Sequence, residues 1–112
     1  MSKLIPLLQA VEMTTRYRQE KENILDPSNM NKGILSLSET FDRADFDTIL
    51  AQKGCVSLRI YYGMDDSLTV TVVIVGVNDK NEDILPAGQE SIAEEGIKCP
   101  PYCPTSSPLN GG

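Results

Sequence analysis

The sequence predicts an α+β domain: two N-terminal helices packed on a small antiparallel sheet of two or three strands, followed by an extended Pro-rich tail. Three observations carry that prediction. Apolar residues recur at helical spacing up to about residue 50, and the period changes to two after Gly54. Residues 99–112 then hold four prolines and no charge. A chain of 112 residues has length for one domain, and 40% apolar residues suffice for one modest core. The domain is set at 1–96 and the tail, extended or disordered, at 97–112.

The first helix is expected over about 4–23. Ser2 can cap it, Pro6 fits a first turn whose N–H groups have no partner, and Leu7, Ala10, Met13 and Tyr17 share one face. That stripe reads as a core face. The helix stops before Asp26-Pro27, and residues 26–33 carry turn chemistry. Ile34, Leu35 and Leu37 suggest a short extended piece. The second helix is expected over about 42–53, with Asp42 as N-cap and Phe41 and Phe46 in the two hydrophobic-staple positions. Ile49 and Leu50 continue its buried face, and Gly54 suits a left-handed C-terminal cap.

Val56, Leu58, Ile60 and Tyr62 alternate with Cys55, Ser57, Arg59 and Tyr61, the pattern of a half-buried strand. After a turn at 63–67, Leu68–Val77 is dense in β-branched residues and apolar on both faces, as a central strand covered on each side would be. Residues 78–83 turn the chain again, with Asx side chains suited to bonding their own backbone. Ile84-Leu85 can begin a third strand before Pro86.

Composition excludes several chemistries. There is no His, so there is no imidazole base, no Ser-His-Asp triad, no Cys-His pair and no His-bearing zinc site. Ten basic and sixteen acidic residues give a net charge of -6, and the acidic pI near 4.5 lacks the basic face that nucleic acid requires. Residues 1–53 carry net -1 and residues 54–112 net -5, so the second half repels nucleic acid and anionic lipid. The run Leu4–Val11 falls short of the roughly 20 apolar residues that span a bilayer, and Glu12 spoils it as a signal peptide. The expectation is a soluble cytoplasmic protein with no membrane or nucleic-acid partner.

The remaining candidates are modest. Cys99 and Cys103 form a CPPYC pair, one residue wider than the catalytic thiol–disulfide spacing and with no helix expected after it, so they read as a candidate disulfide in an oxidising compartment and as plain thiols otherwise. With Cys55 they could supply three soft ligands, but no paired zinc knuckle exists, and Cys55 reads as a small buried hydrophobe. Asp79, Asn81, Asp83 and Glu90 occupy positions 1, 3, 5 and 12 of a calcium loop, yet Ile84 stands where the sixth position needs Gly. No catalytic, metal or cofactor residue is assigned. The adjacent carboxylates Asp65/Asp66 and Glu94/Glu95 would point apart. Gly111-Gly112 has the form of a ubiquitin-like conjugation end at Gly112, although such modifiers begin with a β-hairpin and this chain begins with a helix.

Gly54-Cys55, Leu58-Arg59-Ile60-Tyr61-Tyr62-Gly63, Val75-Gly76-Val77-Asn78-Asp79, Asp83-Ile84-Leu85, Cys99-Pro100-Pro101-Tyr102-Cys103 and Ser107-Pro108-Leu109-Asn110 together resemble a family of short uncharacterised bacterial proteins. Those share a helical start, a "GC…LRIYYG" strand, a "VGVDxNGND" turn and a Cys-Pro-rich tail. Here Asn81-Glu82 replaces the family's Asn-Gly. The resemblance covers residues 40–110 and implies the element order and a single domain, with no catalytic residue.

The functional expectation is a small, non-catalytic interaction or assembly module that binds a protein partner or itself, as a homo-oligomer. Its partner-binding candidates are Arg59 and Tyr61 on the sheet, where Arg59 could grip a carboxylate, and Tyr102 and Leu109 in the tail. The alternatives are a protein acting through its Gly-Gly end and a Cys-based redox or metal site.

Overall fold

A computed structural model describes residues 2–85, 92–94 and 96–111. It is α+β, with two helices and two small antiparallel sheets. In chain order these are α1 (Leu7–Glu20), a 3-10 turn (Pro27–Asn29), β1 (Ser38–Thr40), α2 (Arg43–Leu50), β2 (Ser57–Met64), β3 (Val70–Val77), β4 (Asp83–Ile84) and β5 (Ile97–Cys99).

The helices differ in how well they are held. Asp42 stands at the N-cap of α2 in extended geometry, though its side chain makes no cap bond. The Phe41 and Phe46 rings meet at 5.9 Å between centroids, so the staple fixes the chain's entry. The helix ends earlier than its pattern suggests: Ala51 closes it with its N–H bonded to Asp47 O, and Gly54, at φ +80°, completes a further turn rather than capping directly. Alpha1 begins after Pro6, not at residue 4, because Pro6 holds an extended ψ of 152°.

Of the two helices expected to layer on the sheet, α2 is the one that contributes to its core, through Ile49. No residue of α1 is buried. It is tethered instead by polar contacts, with Tyr17 Oη donating to Ser36 O at 2.6 Å and Arg18 Nη1 donating to Leu109 O at 2.7 Å. An amphipathic stripe shows that a helix needs cover, without saying which surface supplies it.

Beta2 and β3 pair along their whole length, from Ser57 opposite Val77 to Met64 opposite Val70. Beta4 adds to the other side of β3, with Asp83 opposite Val77. That side of β3 is extended further by Ala93, whose backbone exchanges two hydrogen bonds with Ile74 at 2.9 and 3.0 Å, and by Ile34, whose carbonyl accepts from Val70 N–H at 2.8 Å. Beta3 is therefore central, which accounts for its apolar residues on both faces. One face carries Val72, Ile74 and Gly76 under α2, where Ile49, Ile74 and Ala93 form a small core with Phe41, Phe46, Leu58 and Val72 packed against it. Gly76 permits that approach: a Cβ there would stand 2.7 Å from Gln52 Oε1 and 3.3 Å from Ile49 Cγ2.

Beta5 begins the segment whose proline content marks it as a tail. It pairs with β1, Cys99 opposite Ser38 and Lys98 opposite Glu39. Cys99 is buried and bonded to Cys103. Two tight turns follow, one closed by Tyr102 N–H to Lys98 O and the other by Asn110, which bonds Thr105 O and Ser107 N. Two features hold the segment there: its Ile97-Lys98-Cys99 run has an unpaired partner in β1, and Asn110 side-chain bonds replace the backbone bonds that prolines cannot make.

The chain leaves much of its surface open. It exposes 8492 Å², whereas a compact monomer of 12.3 kDa exposes about 6,100 Å². Its radius of gyration is 16.0 Å, against about 13 Å for a compact domain of this length.

Candidate functional site

Two assemblies stand out, one on each face of the three-stranded sheet. Directly paired residues of antiparallel strands share a face. Arg59, Tyr61, Val75, Val77 and Asp83 therefore lie on the face away from α2. Asp83 lies on the far side of β3 from Arg59, and the two long side chains of β2 reach across to it. Arg59 Nη1 donates to Asp83 Oδ1 at 2.5 Å, and Tyr61 Oη donates to Asp83 Oδ2. Arg59 Nη2 donates to Asn81 Oδ1 at 2.5 Å. Asn81 adopts φ +65° within a turn whose Asn78 side chain accepts from Lys80 and Glu82 N–H, the Asx bonding its composition suggests. The cluster thus bridges the sheet on the side carrying Val75 and Val77, each 3% exposed.

The carboxylate that Arg59 was expected to grip on a partner is supplied by Asp83 of the same chain. The same contacts engage Asn81 and Asp83, two of the residues at calcium-loop positions. Glu90, the twelfth position of that loop, lies outside the described residues. Among the described residues, no group of three or more Cys, Asp or Glu is placed to hold a metal ion.

Hydrogen bonding by Tyr61, reinforced by Arg59, holds the Asp83 carboxyl below its ordinary 3.8. The same contact with Asp83 raises Tyr61, and Asp83 raises Arg59. A carboxylate with a depressed folded pKa stabilises the fold above its unfolded value and loses that contribution as pH falls through the folded one. The unfolding midpoint of the wild type is therefore expected to exceed that of Asp83→Asn at neutral pH. The gap should close as pH is lowered below 3.8. Glu22 and Asp26, also depressed, are common to both proteins and cancel. Parallel thermal melts between neutral and acid pH check this.

The opposite face holds an apolar cleft of about 380 Å³ beside α2, walled by Phe41, Phe46, Ile60, Tyr62, Val70 and Val72 and bordered by Tyr17 of α1. Ser36, Ser38 and Thr71 also line it, and its charged member is Glu39, which accepts from Thr71 Oγ1 at 3.2 Å and faces Lys98 Nζ at 3.9 Å. Beta2 is one edge strand of this sheet, with β4 at the other edge. On the cleft side it exposes 55% of Ile60, 84% of Tyr62 and 56% of Met64. Burial pushes the Tyr17 hydroxyl pKa up, with Glu22 adding to it.

The other expected residues lie apart from this site. Tyr102 is exposed within the disulfide loop, and Leu109 borders a second depression with Met13, Tyr17 and Arg18. Gly112, the conjugation candidate, and Glu95 of the second acidic pair lie outside the described residues. Cys55 is half-buried and free, its Sγ 3.4 Å from Ser57 O, while Cys99 and Cys103 are bonded to each other. Sequence reasoning missed the cleft, which joins Phe41 and Phe46 to Ile60 and Tyr62 through tertiary contact. The signal available was Tyr62 ending the apolar alternation of an edge strand. It also missed Arg18 as the tether of the C-terminal segment, for which nothing local speaks.

The chain matches no family model, no curated protein and no solved structure. No helix among the described residues is long and apolar enough to cross a membrane.

Proposed function

We propose that this protein is a small, non-catalytic assembly module that associates with itself through the β2 edge of its sheet. The observation that supports it most is the outer edge of β2, which among the described residues has no neighbouring strand, with Ile60, Tyr62 and Met64 exposed along one side. An edge strand offers unpaired N–H and C=O groups to a second strand, and natural monomers blunt such edges with charge, proline or cover. Beta2 has one charged residue, Arg59, and its guanidinium is held on Asp83.

The resemblance to short bacterial proteins belongs to this reading and brings no catalytic residue to it. The disulfide bears on compartment. Cytosolic thiol systems keep such pairs reduced, so cytoplasmic residence goes with free Cys99 and Cys103, and the bonded form goes with an oxidising compartment.

Hydrogen exchange of the full chain at low and high concentration tests the edge. If β2 pairs with a second copy, its amides facing away from β3 exchange more slowly as concentration rises. Rates independent of concentration would contradict the reading.

A further inference from the structure

Little in its own sequence holds helix α1. It has 14 residues, no side-chain cap, no acidic residue in its first turn and no buried side chain, and an isolated helix of that length is marginal in water. Among the described residues, two hydrogen bonds join it to distant parts of the chain. Tyr17 Oη donates to Ser36 O, 19 residues on, and Arg18 Nη1 donates to Leu109 O, 91 residues on. Both anchors are close to Cys99 in the fold. Ser36 precedes Leu37, whose N–H donates to Cys99 O, and Ser38 pairs with Cys99 across β1 and β5. Leu109 lies in the segment that follows the Cys99–Cys103 ring, and with Pro104 it lines a depression shared with Met13 and Leu37.

We infer that the Cys99–Cys103 disulfide is a redox-operated latch on α1, which a dithiol reductant opens and a disulfide oxidant closes. Cys103 is exposed, whereas Cys99 is buried, so a thiolate of the reductant meets Cys103 Sγ first. It bonds to that sulfur as the Cys99–Cys103 bond breaks, and Cys99 leaves with the electron pair and takes up a proton. The second thiolate of the reductant then displaces Cys103 from the mixed disulfide. Cys103 also takes up a proton, and the reductant departs as its own disulfide, having passed two electrons to the protein. Opening the ring frees the chain after Cys99 from its second point of attachment, so Arg18 loses a fixed partner at Leu109. Loosening of β5 from β1 reaches Ser36 through Leu37, so the second anchor weakens with the first. Closure of so short a ring sets the scale, at most about thirtyfold in the ratio of docked to undocked α1.

Hydrogen exchange of the full chain, oxidised with glutathione disulfide and then treated with dithiothreitol, tests the latch. The thiol count should rise from one, Cys55, to all three cysteines. Amides of residues 10–21 are expected to exchange faster on reduction, by up to about thirtyfold, while those of β2 and β3 keep their rates. Cys103→Ser should show the fast α1 rates with or without dithiothreitol. Arg18→Gln should show faster α1 exchange already in the oxidised form and a smaller response to reduction.

If α1 exchange is the same before and after reduction, or if three free thiols persist under glutathione disulfide, there is no latch. If β2 and β3 accelerate by the same factor as α1, the disulfide supports the whole domain and the inference is overturned. A full wild-type response in Arg18→Gln also overturns it, because the release then does not pass through the C-terminal segment. These readouts lie on α1, so they stand or fall separately from self-association at β2.

Discussion

Ile49→Ala is expected to lower the free energy of unfolding by about 3–4 kcal/mol, within the range for large-to-small changes at fully buried aliphatic sites. Ile49 is 1% exposed, and among the described residues it is the one large side chain under 2%. It joins α2 to Ile74 and Ala93, so its removal opens a cavity at the point where the helix meets both the central strand and the segment bridged to it. A core of this size sits near the low end of domain stability, about 5–6 kcal/mol for a chain of this length. The variant should lose more than half of that and unfold at moderate urea. Urea titration followed by circular dichroism checks it. A midpoint near that of the wild type would show that the α2–β3 contact is not what holds the domain.

Reduction of the Cys99–Cys103 disulfide, or Cys103→Ser, is expected to cost about 2 kcal/mol, the chain-entropy value for a very short closed loop. That corresponds to a fall of roughly 8 °C in the unfolding midpoint. The effect should be local. Cys99 is buried and lies opposite Ser38, and its carbonyl accepts from Leu37 N–H at 2.7 Å. Loosening the loop should first fray β5 from β1 and free the Glu39–Lys98 pair, leaving β2 and β3 in place. Thermal melts with and without reductant give the midpoint, and exchange of the Leu37 amide reports the fraying. An unchanged midpoint would mean that pairing with β1 alone secures Cys99.

How much of this was legible in the sequence depends on the range of the contacts involved. Helix α2 could be read because its signals are local: Asp42, the Phe41–Phe46 staple and the Ile49 face lie within nine residues. The hairpin of β2 and β3 was legible from alternation and from β-branched density, and the turn after it from its Asx residues. What failed was what local pattern cannot carry. The apolar stripe of α1 has the pattern of a core face, yet none of its residues is buried. Beta5 hides in a segment dominated by proline, where three residues have too short a period to register. Ala93 gives no sign in a polar stretch that it will pair with Ile74. Arg59, Tyr61 and Asp83 each carry a local signal, the first two of partner binding and the third of a calcium-loop position. Their joining across β3 depends on strand order and register, which residue types alone do not encode. The open surface of α1 and the cleft follows from the same gap, since hydrophobic patterning announces that a face needs cover and is silent on what covers it.

The absolute mass of the full chain by light scattering over a range of concentrations tests the central claim most directly. Self-association through the β2 edge and its cleft gives twice the 12.3 kDa chain mass at working concentration, falling toward one chain on dilution. A mass of 12.3 kDa at every concentration would contradict the account and leave the apolar face of β2 to a different protein.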